Sequence, residues 1–202
     1  MKRNLLIPIV FVILMWMINI FQFVYGIDLG NLGIHPRDST TLIGIFTSPL
    51  IHGNWEHLLS NSLPMLVLGI LLFLIYDRVA IWVWVLNYFF TGLFVWLFAR
   101  DSYHIGASGV IYGLASFLFF SGFFRMDIKS IAISSGVAIF YGGMVWGILP
   151  IQPGVSWESH MFGGLVGLAL AYLFRNIHKD IYIKQHEDEV FIRKTYEEYL
   201  NQ

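Results

Sequence analysis

The sequence predicts an all-α polytopic membrane protein, a bundle of six transmembrane helices. Three observations carry that prediction. Hydrophobic residues fill 57% of the 202 positions and charged residues only 12%, where a soluble domain is about a quarter charged. Mean hydropathy is correspondingly high, at +0.68. Six apolar stretches approach the roughly 20 residues that cross a hydrocarbon core about 30 Å thick. Lys and Arg also fall mainly on one side of those stretches, as in membrane proteins of fixed orientation.

The first span, 5–25, is too long for a signal-peptide core and lacks a small-residue cleavage site, so it reads as a retained helix. The longest connection follows, about 27–55. It contains "GIHPRDSTT" and a second apolar piece, "LIGIFTSPLI". A stretch of that length reads as interfacial rather than spanning. The remaining spans are 58–76, 79–99, 107–124, 131–149 and 160–174. The last is short by its apolar count, so it is expected to begin near Ser156. There is no internal repeat. Residues 1–176 read as one membrane domain, and 177–202 as a solvated, partly helical tail carrying both charges.

With the N-terminus in the cytoplasm, ten of the twelve Lys and Arg residues lie inside, and only Arg37 and Arg100 lie outside. Both termini are therefore expected to be cytoplasmic, in a multi-pass protein of a bacterial plasma membrane. The net charge of −1 argues against a nucleic-acid partner. The lack of cysteine excludes disulfides, thiolate metal sites and a thiol nucleophile.

Polar groups inside spans are costly and mark candidate functional sites. Three sets stand out. His52, His57 and Asn61 lie at the outer end of span 2, in "HGNWEHLLSN". Ser108 lies at the outer end of span 4, in "HIGASGVIYG", and His160 at the outer end of span 6, in "SWESHMFGG". Lys and Arg alone set the topology, yet it brings all three sets to one side and a similar depth. His57 and Asn61 share a helical face, as do Ser108 and Tyr112. Gly109 with Gly113, and Gly163 with Gly167, form small-residue faces that let helix backbones approach closely in lipid. Spans 4 and 6 are thus expected to bring Ser108 near His160.

A serine beside a histidine base is the minimum for nucleophilic catalysis. His57, Asn61 and the Ser108 backbone N–H are candidate donors to an oxyanion. No carboxylate lies deep in these spans; Glu56 and Glu158 are expected to face water, which leaves a Ser-His dyad. Taken singly, each residue has a structural reading: a serine bonded to its own helix, a histidine joining two helices, Tyr112 in packing. His52 is expected to bond loop backbone. His35, His104, His178 and His186 are expected at the surface.

"HGNWEH" is H-x-x-x-E-H and misses both H-E-x-x-H and H-x-x-E-H. No metal and no cofactor are expected. "GASG" is not the G-x-S-x-G elbow, which needs a strand before its helix. A transporter would show midplane charges or matching broken helices. Only Pro64 and Asn87 interrupt the middle of a span.

Together the three motifs resemble the rhomboid intramembrane serine proteases, over about 5–174. The resemblance implies a six-helix bundle that cleaves transmembrane protein substrates in the bilayer. It makes Ser108 the nucleophile and His160 the general base, with His57 and Asn61 stabilising the oxyanion. His52 matches the family's other span 2 histidine, Tyr112 its aromatic beside the catalytic histidine, and Gly106 and Gly163 its motif glycines. Ala107, not a blocking proline, precedes Ser108, which implies activity. The family's Trp-Arg pair in the first outer loop is not evident; Arg37 follows Pro36 instead. The alternatives are an inactive rhomboid-like protein that binds membrane clients and, below it, a small transporter.

Overall fold

The structure, a computed structural model, describes residues 2–177 together with 189 and 191. Almost all of the predicted tail, with His178 and His186, lies outside the described residues. Among the described residues there are seven α-helices: α1 (Leu6–Tyr25), α2 (Gly44–Thr47), α3 (Trp55–Ile75), α4 (Ala80–Phe98), α5 (Ser108–Arg125), α6 (Ile128–Tyr141) and α7 (Trp157–Leu173). One antiparallel bridge joins Ile34 to His104, and there is no β-strand among them. Helices α1, α3, α4 and α5, and α6 continued into the 3₁₀ segment Gly142–Ile148, are long and apolar enough to cross a membrane. Helix α7, where the sixth span was expected, is 17 residues long and falls short of that length.

Local chemistry sets the helix ends. The Asn54 side chain caps α3 by accepting the His57 N–H at 2.8 Å. Asp127 caps α6 by accepting the Ser130 N–H at 2.9 Å. Such caps satisfy donors that the first helical turn leaves free. Gly26 ends α1 in the left-handed region, φ +63°, where glycine carries no steric cost. The fifth span departs from the single helix expected at 131–149. Its α-helix stops at Tyr141, and the chain tightens to a 3₁₀ turn at Gly142–Ile148. Three glycines in that run explain the change, since glycine costs about 1 kcal/mol in a helix interior.

Helix α5 is the buried centre. Of its membrane window 61% is buried, against 11% for the segment containing α6. Leu114, Phe117 and Leu118 of α5 share one core with Leu58, Met65, Leu68 and Leu72 of α3 and Met15 of α1. Helix α5 also meets α7 backbone to backbone. A Cβ on Gly163 would strike the Gly109 carbonyl, and one on Gly167 the Gly113 carbonyl. Asn87 joins α4 to α5 at mid-span, with Nδ2 donating to the Val110 carbonyl at 2.9 Å.

The long connection between α1 and α3 is folded rather than spanning. It holds α2 and the 3₁₀ turn Ser48–Leu50, with Ile45 and Pro49 buried and Leu42, Ile43 and Phe46 exposed. Arg37 ties it to the end of α4, donating from Nη1 to the Ala99 carbonyl at 2.8 Å.

Candidate active site

Ser108 is the first residue of α5. Gly106, just before it, has φ +102° and donates its N–H to the Ser48 carbonyl at 2.8 Å. The His57 ring lies where a Cβ on Gly106 would project. Glycine is therefore required twice here, for the backbone angle and for the histidine beside it.

His160 lies one turn inside α7. Its Nε2 is 2.8 Å from Ser108 Oγ, and its Nδ1 is 2.8 Å from the Gly147 carbonyl oxygen. A carbonyl oxygen only accepts, so Nδ1 carries the proton and Nε2 keeps its lone pair toward the serine. That is the tautomer a general base needs. The Tyr112 ring stacks on the imidazole, with centroids 4.1 Å apart and planes within 4°. Its hydroxyl donates to the Met144 carbonyl at 2.7 Å. The Gly142–Ile148 turn thus supplies both carbonyls. A side chain at Gly147 would strike the Tyr112 hydroxyl and crowd His160 Nδ1.

A cavity of about 1270 Å³ opens beside these groups, lined by His57, Asn61, Ser108, Tyr112, Gly147 and His160 among others. Asn61 donates one amide hydrogen to the His57 carbonyl at 2.9 Å; its second hydrogen is left for another acceptor. His52 stands behind His57, its ring edge-on with centroids 4.9 Å apart. It is 1% exposed, and neither ring nitrogen makes a hydrogen bond. The ring packs against His57, and the loop backbone it meets is that of Leu50. Burial, reinforced by His57, pushes the His52 pKa down to about 4, with the Leu50 backbone opposing the shift.

Three other expectations change. Glu158 is 3% exposed rather than facing water. Its Oε1 accepts the Arg100 N–H at 3.4 Å and lies 3.6 Å from Arg100 Nε. The α7 face that carries Glu158 is turned toward the α4–α5 loop, where Arg100 meets it. His104 is 2% exposed, drawn inward by its bridge to Ile34, and Nδ1 lies 2.6 Å from Ser156 Oγ. Burial lowers its pKa. His35 is half-buried, with Nε2 3.3 Å from Asp101. Glu56 is exposed. Among the described residues, no three His, Asp or Glu side chains cluster as metal ligands.

The sequence reading did not find the Gly147 and Met144 carbonyls. Every residue carries a carbonyl, so no residue type signals one. The glycine at 147 inside an apolar run was the available trace.

The Rhomboid domain model matches residues 39–177. The chain belongs to the rhomboid family. Its relatives include the uncharacterized protein Rv1337 of Mycobacterium tuberculosis, 35% identical over 172 residues, 81% of this chain and 72% of that protein. The uncharacterized protein Mb1372 of Mycobacterium bovis matches to the same extent. The uncharacterized protein ML1171 of Mycobacterium leprae is 34% identical over 172 residues, 81% of this chain and 68% of its own length. Rhomboid proteins are polytopic helical bundles that act on transmembrane substrates within the bilayer, and most are intramembrane serine proteases. This rhomboid is accordingly a multi-pass integral membrane protein.

Proposed function

We propose that this rhomboid is an active intramembrane serine endopeptidase with Ser108 as nucleophile and His160 as general base. The observation that carries the reading is the 2.8 Å contact from His160 Nε2 to Ser108 Oγ, with Nδ1 held by the Gly147 carbonyl. Ser108 Oγ attacks the scissile carbonyl while His160 Nε2 takes its proton. The resulting imidazolium is oriented by Gly147, in the place where a soluble triad uses a carboxylate. Tyr112 keeps the ring in plane with that bond.

The negative charge formed on the substrate oxygen meets Asn61 Nδ2, the His57 ring and the Ser108 N–H. That N–H stands in the first turn of α5, where backbone donors lack helical partners and the helix dipole favours an anion. Donors fixed in place before the reaction stabilise the transition state most. His160 then passes its proton to the leaving amine, and a water entering the cavity releases the acyl-enzyme by the same steps in reverse.

The substrate is a membrane-spanning protein cut near the outer face. The membrane domain occupies 1–176 and both ends of the chain are cytoplasmic, with 177–202 as a cytoplasmic tail. The test is incubation of the purified protein with a transmembrane test peptide. Wild type should cleave it and Ser108→Ala should not; equal cleavage by the folded variant would refute the reading.

A further inference from the structure

The first turn of α7 is held from outside the helix by two neighbouring sets of polar contacts. In the first, Oε1 of Glu158 meets the Arg100 N–H at 3.4 Å and Nε at 3.6 Å. Arg100 Nη2 also donates to the Val155 carbonyl at 2.7 Å. One arginine thus grips both the chain entering α7 and its first turn. In the second set, His104 Nδ1 is 2.6 Å from Ser156 Oγ, and Ser156 Oγ is 2.6 Å from Ser159 Oγ. His104 Nε2 lies 3.1 Å from the Arg100 carbonyl, so the two sets share a residue.

Both sets run between the α4–α5 loop and residues 155–159. That loop leads directly into Ser108, and residues 155–159 lead directly into His160. The glycine contacts between α5 and α7 bring the two backbones together. Farther along α7, Ser116 Oγ donates to the Gly164 carbonyl at 2.6 Å and Arg125 Nη2 to the Phe174 carbonyl at 3.0 Å. At the end that carries His160, the two sets from the α4–α5 loop hold the first turn of α7.

Glu158 is poorly placed for a purely stabilising role. It is 3% exposed, and its Oε2 has no hydrogen-bond partner. A buried, half-satisfied carboxylate carries a desolvation cost that an apolar side chain of similar volume avoids.

We propose that Glu158, acting through Arg100, is a positioning residue for the Ser108–His160 pair. It locks the start of α7 to the loop that leads into Ser108, and so fixes the height and rotation at which His160 meets the serine. The proposal rests on the protease reading above. It follows that the Glu158–Arg100 contact matters for kcat more than for folding, because a misplacement of about 1 Å can cost roughly a hundredfold in rate.

The experiment uses the full chain in liposomes, as wild type, Glu158→Met, Glu158→Gln, Arg100→Met and the double Met variant. Kinetics on a transmembrane test substrate are paired with thermal unfolding and with ¹⁵N NMR of the His160 ring, assigned by difference from His160→Ala. Glu158→Met should unfold at or above the wild-type temperature, with kcat lowered about tenfold or more and KM within about twofold. Glu158→Gln, which still accepts the Arg100 N–H, should fall between. The double variant should be no slower than the slower single, because the two residues act as one unit. The His160 Nε2 resonance should move away from its serine-bonded position in Glu158→Met. Wild-type kcat with an unmoved resonance in that variant overturns the proposal, and so does a loss of rate fully matched by a loss of folded protein. If folded wild type cuts nothing, the protease reading fails, and the His160 resonance still decides whether Glu158 positions the ring.

Discussion

Nδ1 of His160 donates to the Gly147 carbonyl at 2.8 Å, so a backbone group outside α7 selects the tautomer that faces Ser108. The two side chains of the proposed pair stand 52 positions apart in the chain, and the geometry of their contact depends on this third point. Ser108→Ala and His160→Ala should each abolish cleavage of a transmembrane peptide while thermal unfolding stays near wild type. The double variant should be no worse than either single, because members of such a pair fail together. EDTA should have no effect; inhibition by EDTA with recovery on adding zinc would contradict the dyad.

Asn61 and His57 share the α3 face that lines the cavity. Removing one oxyanion donor costs roughly 10² to 10³ in kcat. Asn61→Ala should show a loss of that size with KM little changed, because these bonds strengthen in the transition state. A rate merely halved in folded Asn61→Ala would remove Asn61 from the oxyanion site.

Gly163 and Gly167 lie against the Gly109 and Gly113 carbonyls. Gly167→Leu should force α7 away from α5 and lower both thermal stability and activity. Overpacking a tight site costs about 1–3 kcal/mol, so the unfolding midpoint should drop by several degrees. Gly164, with open space around its Cβ position, is the control: Gly164→Ala should be nearly silent. Equal behaviour of Gly164→Ala and Gly167→Leu would mean that the close crossing is not where these contacts put it.

His52 links the fold to pH. Its folded pKa, about 4, lies below the ordinary 6.5. As pH falls, the unfolded chain therefore takes up the proton first. The stabilising contribution is fully present above about pH 6.5, declines from there to about pH 4, and is gone below that. At most it amounts to about 3 kcal/mol. Unfolding temperatures of wild type and His52→Gln, measured from pH 7.5 to 4.5, should show a steeper acid loss in wild type. Parallel curves would mean that His52 stays paired or wet in the folded protein.

A scissile bond in a stable helix has its carbonyl hydrogen-bonded, and unwinding it in lipid costs several kcal/mol per exposed backbone group. The polar cavity lowers that cost at the end of the bundle proposed to face outward. The segment 106–109 leaves little side-chain bulk beside Ser108, so small residues at the cut should be favoured. A poly-Leu span with one Gly-Ala pair moved stepwise should be cut best with the pair in its outer third. Cutting that is even with depth, or best at the cytoplasmic end, would sink both the depth and the orientation proposed above.

The helical spans and the glycine faces were legible in the sequence because one is a continuous run and the other a repeat at helical spacing. Apolar runs of bilayer length need no partner to be recognised, and Gly109 with Gly113, or Gly163 with Gly167, repeats at helical spacing. Ser108, His57, Asn61 and His160 were also legible as candidates, because polar side chains in apolar runs are costly. What the sequence could not show was which polar groups meet. Glu158 read as a solvent-facing carboxylate and His104 as a surface histidine, yet both are buried. Their partners, Arg100 and Ser156, lie 58 and 52 positions away. The Gly147 carbonyl left no residue-type signal at all. Spans and small-residue faces are local properties, written at fixed spacing. The tautomer of His160 and the burial of Glu158 depend on backbone groups and loops that only the packed bundle brings within hydrogen-bonding distance.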